Sequence, residues 1–200
     1  GWNKWLQFIT GFLLSVVIIG AALIEQWKGL LLSRVKIDDP FAKASLMADV
    51  HWTGFEIIPG IILLAGVLLY LFYSARNNRK ALLLLFATSM IAINGTIIMI
   101  TPKVEPYSQG AMIEFFQDKS RERNIVETVR FKSYANLFYA ARNPDFSKPV
   151  ADSFIHFGLH PEIPVYYVGK IQNAEENEKE NTNLQRLYSK NGFVFYKLKR

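Results

Sequence analysis

Cysteine is absent from the 200 residues of this chain, which excludes a disulfide framework and any metal site built from thiolates. The chain also lacks a glycine-rich phosphate loop and a Walker pattern, and its motifs identify no cofactor. The net charge is +6, yet the lysines and arginines are scattered and form no dense basic stripe. A nucleic-acid partner therefore has little support, and contact with anionic membrane lipid is the more natural use of the excess charge.

Charged side chains are also missing from three long apolar stretches. These stretches are residues 6–24, 57–75 and 81–101. At about 1.5 Å per residue, each would form a helix of roughly 30 Å, which matches the hydrocarbon core of a bilayer. Trp2, Trp5 and Trp27 flank the first stretch, as interfacial aromatic anchors do. We therefore predict three transmembrane helices at these positions.

Two details of this membrane region bear on its partners. The third stretch contains Asn94, and because an amide inside a bilayer needs a hydrogen-bonding partner, we expect this side chain to face another helix. The sequence begins with Gly1 and reaches its first apolar stretch almost at once, so we also expect it to be a fragment or a processed product.

The connection between the second and third stretches predicts the orientation in the membrane. Residues 76–80 contain cations and no acid, and short loops of this kind face the cytoplasm. Residues 1–4 would then also be cytoplasmic. The loop 25–56 and the region after Pro102 would lie outside.

The outer loop, residues 25–56, is too long for a simple connection. Its apolar residues from Trp27 to Val35 predict an amphipathic stretch that lies on the membrane surface. Arg34 and Lys36 would meet lipid phosphates there.

The same loop carries polar side chains of the types found in catalytic and metal sites. They are Asp38, Asp39, Asp49, His51 and Glu56. Their spacing matches no metal motif, such as two histidines at i and i+4 with a glutamate between them. We predict capping and solvated-surface roles instead, with Asp39 as the N-cap of a helix that has Pro40 at its first position. His156 and His160 have no cysteine or clustered acids beside them, so we assign no metal site and no catalytic residue.

The region after the third stretch changes character and alternates between helix and strand patterns. The predicted elements are a helix 108–119, a strand 125–131, a short helix 134–141, a strand 164–171, a helix 182–189 and a strand 193–198. The glutamate-rich stretch 172–183 is predicted to be a solvated loop. The alternation predicts a small α/β domain with a mainly parallel sheet. The chain would thus consist of a transmembrane region, 1–101, and a soluble domain, 102–200.

Several short patterns along the chain resemble those of one protein family. They are Asp39-Pro40-Phe41, His51-Trp52, Pro102-Lys103-Val104-Glu105, Tyr107-Ser108-Gln109, Phe131-Lys132-Ser133-Tyr134, Leu137-Phe138-Tyr139, Leu187-Tyr188 and Asn191-Gly192-Phe193. With these patterns the sequence resembles the C-terminal part of bacterial membrane glycosyltransferases of the aminoarabinose-transferase and protein-mannosyltransferase superfamily, which have the GT-C architecture. The resemblance covers nearly the whole chain.

The resemblance implies a location, a reaction and a partner. The location is the bacterial inner membrane, with the C-terminal domain in the periplasm. The reaction is transfer of a sugar from a polyprenyl-phosphate donor to an acceptor, often a lipid, as in lipid A modification. The family's catalytic acid lies in an extracytoplasmic loop near the N-terminus, so no Asp or Glu of this chain inherits that role by position. The N-terminal transmembrane region of the same protein would then be a partner of this segment.

Four cations are the candidate contacts for lipid phosphate or substrate. Arg34, Lys36 and Lys103 lie near the outer interface in the predicted topology, and Lys132 lies in the soluble domain. Arginine suits a phosphate because its planar guanidinium donates two hydrogen bonds at once. For Lys103 and Lys132, ordinary interfacial or surface roles stay open.

Three hypotheses of function follow from the sequence. The first is the non-catalytic C-terminal portion of a glycosyltransferase that uses a lipid-linked sugar. The second is a membrane-anchored interaction module whose α/β domain binds a partner outside the membrane. The third is a small metal-dependent hydrolase that uses the acids of the outer loop.

Overall fold

The structure is a computed structural model that describes residues 2–140 and 163–199. The chain divides into two compact units. We call Gly1–Val35 with Asp49–Glu105 the transmembrane unit, and Lys36–Ala48 with Pro106–Arg200 the C-terminal unit. The segment Lys36–Ala48, part of the outer loop in the sequence, thus groups with the C-terminal unit.

The described residues form helices first and a helix–strand mixture later. The helices are α1 (Trp2–Ala22), α2 (Ile24–Arg34), α3 (Pro40–Leu46), α4 (Ile58–Ser74), α5 (Asn78–Met99), α6 (Thr101–Glu105), α7 (Ala111–Lys119), α8 (Ala135–Tyr139) and α9 (Ala174–Glu180). The strands are β1 (Ile125–Thr128), β2 (Val165–Lys170), β3 (Leu184–Lys190) and β4 (Phe193–Leu198). Short 3₁₀ turns precede α4 and α9, and a π-helical turn, Pro106–Gly110, precedes α7.

Among the residues that the structure describes, three helical segments are long and apolar enough to cross a membrane. They are Lys4–Ala22, Phe55–Ser74 and Asn78–Met99. The three predicted spans are therefore confirmed, with ends that differ by a few residues from the sequence-based bounds. Asn77 is the N-cap of α5, because its side chain accepts a hydrogen bond from Lys80 N. The first turn of this helix contains no acidic side chain.

Small residues let α4 approach both of its neighbours closely. A Cβ atom added at Gly66 of α4 would lie 2.0 Å from Thr88 Oγ1 of α5. A Cβ atom added at Gly11 of α1 would lie 2.5 Å from Val67 Cγ2 of α4. In the transmembrane unit α4 therefore packs against both α1 and α5 through close backbone approach, a common mode of association between membrane helices.

Polar side chains join α1 and α4 at the end of the unit that carries the basic loop. The hydroxyl of the buried Tyr70 donates a hydrogen bond to Gln7 Oε1. Lys4 Nζ donates to the Ser74 carbonyl oxygen at 3.0 Å. Both contacts satisfy polar groups that hydrocarbon would leave unpaired.

Much of the remaining surface of the spans consists of exposed apolar side chains. Leu83 and Ile98 of α5 are 69% and 72% exposed, and Leu6 and Val17 of α1 are 62% and 65% exposed. Such side chains are stable where lipid or further apolar helices surround them.

The outer loop folds as the sequence predicts at its helix start. Asp39 is the N-cap of α3, because its side chain accepts a hydrogen bond from Phe41 N at 2.9 Å and Pro40 occupies the first turn. The predicted amphipathic stretch corresponds to α2, which contains no buried residue.

The C-terminal unit contains a four-stranded sheet with the order β1-β2-β4-β3. β1 and β2 are parallel, with Glu127 opposite Tyr167, whereas β2–β4 and β4–β3 are antiparallel. The predicted small α/β domain is confirmed, but the sheet is mixed and not mainly parallel.

The two inner strands, β2 and β4, are buried on both faces. On one face, Tyr166, Val168 and Phe195 pack with Phe115 and Phe116 of α7. The opposite face belongs to a second apolar cluster, which contains Val165, Tyr167, Val194, Tyr196 and Ala174 of α9. The central strands therefore read as continuous apolar runs, which explains why the sequence predicts them well.

The wrong prediction about the sheet has a local cause. Residues 182–189 were predicted as a helix but form most of β3, and the predicted loop 172–183 contains α9. β3 is an edge strand whose residues after Leu184 are exposed, so it lacks the apolar alternation of a half-buried strand. Asn191 and Gly192 both have positive φ, 49° and 84°, the conformation of a tight two-residue hairpin turn. That turn makes β3 and β4 antiparallel.

The helix α3 packs against this hairpin within the C-terminal unit. The rings of Phe41 and Phe193 meet edge to face, with centroids 5.0 Å apart. Ser45 Oγ donates a hydrogen bond to the Asn191 carbonyl oxygen at 3.2 Å. A side chain at Gly192 would approach Phe41 Cδ2 to 2.8 Å, so both φ and space require glycine there.

Candidate functional site

A buried carboxylate, Glu56, lies directly before α4. Its residue is only 2% exposed. The carboxylate accepts hydrogen bonds from Thr53 N and Thr53 Oγ1 at 3.1 Å and from Gly54 N at 2.8 Å. Thr53 Oγ1 in turn accepts from Phe55 N at 3.4 Å. This arrangement is a variant of the capping box, in which a glutamate reaches back to free amide groups at a helix start.

Lys103 of α6 completes the surroundings of this carboxylate. Its Nζ atom lies 3.8 Å from Glu56 Oε1 and donates a hydrogen bond to the His51 carbonyl oxygen at 2.7 Å. The lysine side chain is 28% exposed and the glutamate side chain 3%. Lys103 thus joins the segment before α4 to the helix that follows α5, and Glu56 already balances its charge.

Arg34 and Lys36 lie at the end of α2 and just beyond it, and both are exposed. Lys36 Nζ is 3.3 Å from Asp38 Oδ1, but the two side chains are 90% and 79% exposed, so this ion pair contributes little to stability. On the same helix Trp27 is 50% exposed. An exposed tryptophan beside exposed cations is typical of a helix at a membrane surface.

Lys132 is exposed and lies between β1 and α8. Its neighbour Arg130 is engaged elsewhere, because it forms ion pairs with Glu176 at 3.1 Å and with Glu180. Of the four candidate cations, Arg34 and Lys103 therefore belong to the transmembrane unit, and Lys36 and Lys132 to the C-terminal unit.

The acids of the outer loop do not converge. Asp39 caps α3, Glu56 is held by the turn before α4, and Asp38 pairs with Lys36. Within residues 2–140 and 163–199, no group of three or more histidines and acids is arranged to hold a metal ion. His156 and His160 lie outside the described residues.

A second buried polar group lies in the C-terminal unit. Asn136 Nδ2 donates hydrogen bonds to Val126 O at 3.2 Å and to Glu127 Oε2 at 3.1 Å. Burial raises the pKa of Tyr167 to about 12, and the negative charge of Glu127 on the neighbouring strand adds to that shift. All these side chains are held within the domain, so the group serves the fold.

The transmembrane and mixed-sheet architecture has a known counterpart. The structure of ArnT from Cupriavidus metallidurans, bound to undecaprenyl phosphate, matches 98% of this chain with a TM-score of 0.53 and 10% sequence identity. Over the matched part, the chain shares the fold of that structure, which is a GT-C glycosyltransferase. This chain spans 37% of the length of that ArnT chain. No family model matches the sequence, and the search of curated proteins gave no match.

The three apolar helices together with this likeness indicate a membrane protein, as the sequence patterns predict. At 10% identity the likeness shows the fold alone. It assigns no role to individual side chains, so the roles of Arg34, Lys36, Lys103 and Lys132 stay predictions.

The link between Glu56 and Thr53 is not among the contacts predicted from the sequence. The spacing Thr53-Gly54-Phe55-Glu56 is that of a capping box, and it directly precedes an apolar run, so the signal was present. The contact of Lys103 with Glu56 had no such signal, because Glu56 lies in the turn before α4 and Lys103 in α6, far apart in the sequence.

Proposed function

We propose that this chain is the C-terminal portion of a membrane glycosyltransferase that moves a sugar from a polyprenyl-phosphate donor to a lipid or another acceptor. The observation that carries the proposal is the fold likeness to an ArnT structure bound to undecaprenyl phosphate, over 98% of this chain. The three apolar helices support it, because a donor with a long hydrocarbon chain has to be met in the membrane.

The proposal assigns donor or lipid phosphate to the exposed cations. Arg34 and Lys36 are available for this role, since Arg34 is exposed and the ion pair of Lys36 with Asp38 is largely exposed to solvent. Lys132 would contact phosphate from the C-terminal unit. Lys103 is the least available of the four, because Glu56 and the His51 carbonyl oxygen already engage its ammonium group.

The catalytic carboxylate would come from a further transmembrane region of the same protein. Asn94 supports the presence of such a region, because this residue is exposed on α5, amid exposed isoleucines. Its Nδ2 atom donates to the Met90 carbonyl oxygen at 2.8 Å, within its own helix. An exposed amide in a span is better placed against another helix than against lipid.

The orientation belongs to the same proposal. The cations of residues 76–80 would face the cytoplasm of a bacterial inner membrane, and the C-terminal unit would lie in the periplasm. The donor phosphate would then be met at the outer interface, where α2 and the turn before α4 would lie.

Photocrosslinking in nanodiscs tests the proposal. A photoreactive undecaprenyl phosphate should label the chain more strongly than photoreactive undecaprenol, which has the same hydrocarbon chain without the phosphate. The variant Arg34→Gln combined with Lys36→Gln should reduce the difference, whereas Lys179→Gln, on the exposed face of α9, should not. Equal labelling by the two lipids would contradict donor binding.

A turnover assay separates the proposed portion from a complete enzyme. The chain by itself should transfer no sugar from a polyprenyl-phosphate sugar. Measurable transfer would overturn the assignment of catalysis to a further region. Absence of both transfer and phosphate-dependent labelling would favour the alternative, a membrane-anchored interaction module.

A further inference from the structure

Three large apolar side chains form an exposed surface on the C-terminal unit. Tyr134, Leu137 and Phe138, which we call the aromatic patch, are 73%, 44% and 80% exposed. Phe138 is thus more exposed than Ile98, the most exposed large apolar side chain of the three spans, at 72%. A surface of this kind on a folded domain marks an interaction site.

The patch is held outward by the other side of the same helix. Asn136 is only 3% exposed and donates hydrogen bonds to Val126 O and Glu127 Oε2. Ala135 and Tyr139 pack against the apolar cluster that contains α7. The helix α8 therefore directs the Asn136 amide inward and the apolar side chains of Leu137 and Phe138 outward, the reverse of the usual pattern for a water-exposed helix.

The charges beside the patch indicate what covers it. The stretch from Val129 to Ala140 contains Arg130 and Lys132 and no acid. Arg130 is paired with Glu176 and Glu180, so Lys132 is the exposed cation next to the aromatic side chains. Tyrosine and phenylalanine with a neighbouring lysine are the residues that bind the interface of an anionic bilayer.

The path of the chain ties this unit to the transmembrane unit by short connections. The chain passes between the transmembrane unit and the C-terminal unit three times, after Val35, after Ala48 and after Glu105. Between the end of the third span and the last crossing lies little more than α6, a helix of five residues. A domain with such short tethers has the membrane surface within reach.

We propose that the aromatic patch inserts into the headgroup region of the membrane that the chain spans, with Lys132 against lipid phosphate. The inference does not depend on sugar transfer. It assigns a lipid surface, and not a protein partner, to α8.

The absence of cysteine makes a labelling experiment direct. Tyr134→Cys and Phe138→Cys each receive an environment-sensitive fluorophore, and Lys179→Cys, whose native side chain is 79% exposed on α9, is the matched control. The full chain is reconstituted in nanodiscs of phosphatidylcholine mixed with phosphatidylglycerol. Quenching is measured with iodide in the water and with lipids that carry a spin label at the headgroup.

Labels at positions 134 and 138 should be quenched by the spin-labelled lipid and shielded from iodide, and the label at position 179 should behave in the opposite way. Iodide quenching at 134 and 138 equal to that at 179 would overturn the proposal. Shielding from both quenchers would also overturn it, because protein would then cover the patch.

The role of Lys132 is tested in the Tyr134→Cys background. Lys132→Glu should weaken quenching by the spin-labelled lipid. We expect the equilibrium between the membrane-inserted and the water-exposed patch to shift toward water by about fivefold or more. The change should disappear in phosphatidylcholine alone, since that bilayer carries no net charge. Circular dichroism establishes that the variant is folded. An unchanged signal in the anionic bilayer would remove Lys132 from the proposal.

Discussion

Lys103 and Glu56 form an ion pair in which the carboxylate is buried and the ammonium group is only partly exposed, with 3.8 Å between Nζ and Oε1. The pair joins the turn before α4 to the helix after α5, and Lys103 adds a hydrogen bond to the His51 carbonyl oxygen. Its geometry favours a structural role, because the hydrogen bonds from Thr53 and Gly54 already hold the carboxylate in place. The contribution of this ion pair to the free energy of unfolding can be measured with variants of the two residues.

Replacing Lys103 by methionine should destabilise the transmembrane unit, because the buried carboxylate of Glu56 loses its counter-ion. We expect a loss of about 1–3 kcal/mol in the free energy of unfolding, below the full cost of breaking a buried pair because the lysine is partly hydrated. Thermal unfolding in detergent, followed by tryptophan fluorescence, measures it. Lys36→Met, at the exposed pair with Asp38, is the control and should change little.

A double variant distinguishes loss of charge pairing from loss of packing. Combining Lys103→Met with Glu56→Gln should cost less than the sum of the two single changes, because no unpaired charge stays buried. Strict additivity would mean that the two side chains do not interact.

Gly66→Ala should loosen the contact between α4 and α5. The added methyl group would lie 2.0 Å from Thr88 Oγ1 and 2.6 Å from Thr88 Cβ, so the helices have to move apart. We expect a destabilisation of about 1–3 kcal/mol, typical of overpacking, measured by the same thermal unfolding. Gly20→Ala is the control, since no atom lies within 4 Å of its added Cβ, and it should be neutral or slightly stabilising. Equal effects at the two positions would contradict the close approach.

Alkaline titration should reveal Tyr167 as a late-ionising side chain. Burial and the charge of Glu127 raise its pKa to about 12, so the folded state keeps a proton that the unfolded state releases near pH 10. Its contribution to stability is present in full below pH 10 and is lost as the pH rises from about 10 to about 12. Tyrosinate absorbance and unfolding across this range measure the effect. In Tyr167→Phe the late absorbance step should become smaller, because Tyr188 and Tyr196 also have raised pKa values, and the free energy of unfolding should fall less steeply with pH. An unchanged titration would contradict the assignment.

Asn94→Leu should reduce self-association of the chain when it is studied without further helices. An amide exposed on α5 promotes contact between copies, because interhelical hydrogen bonds form where lipid offers none. The dimerisation constant should fall about 3- to 20-fold, the range expected for one such bond, as measured by energy transfer between labelled chains in detergent. Ile98→Leu changes shape on the exposed surface of α5 without polarity and should leave association unaltered. A comparable drop in both variants would show that general packing drives the contact.

Some elements follow from short-range sequence signals. The cap at Asp39 depends only on a side-chain oxygen that accepts a hydrogen bond from the Phe41 amide group, two residues further along the chain. The strand β4 begins with a run of apolar and aromatic residues. β3 and α9 do not follow in this way. The edge strand is mostly exposed, and α9 buries only Ala174 and Asn177, so neither carries a strong periodic pattern. The Asn191–Gly192 turn was the available signal for the hairpin.

The sequence alone determined the three spans, because the absence of charge over such lengths has a large free-energy consequence that no distant contact can reverse. It also determined the cap at Asp39 and the central strands, which depend on neighbours along the chain. Only the tertiary structure decided that Glu56 meets Lys103, that α3 belongs with the hairpin and that α8 turns Leu137 and Phe138 outward. These relationships either join residues that are far apart in the chain or depend on which face of a helix packs against the rest of its domain. A local pattern carries no information about either.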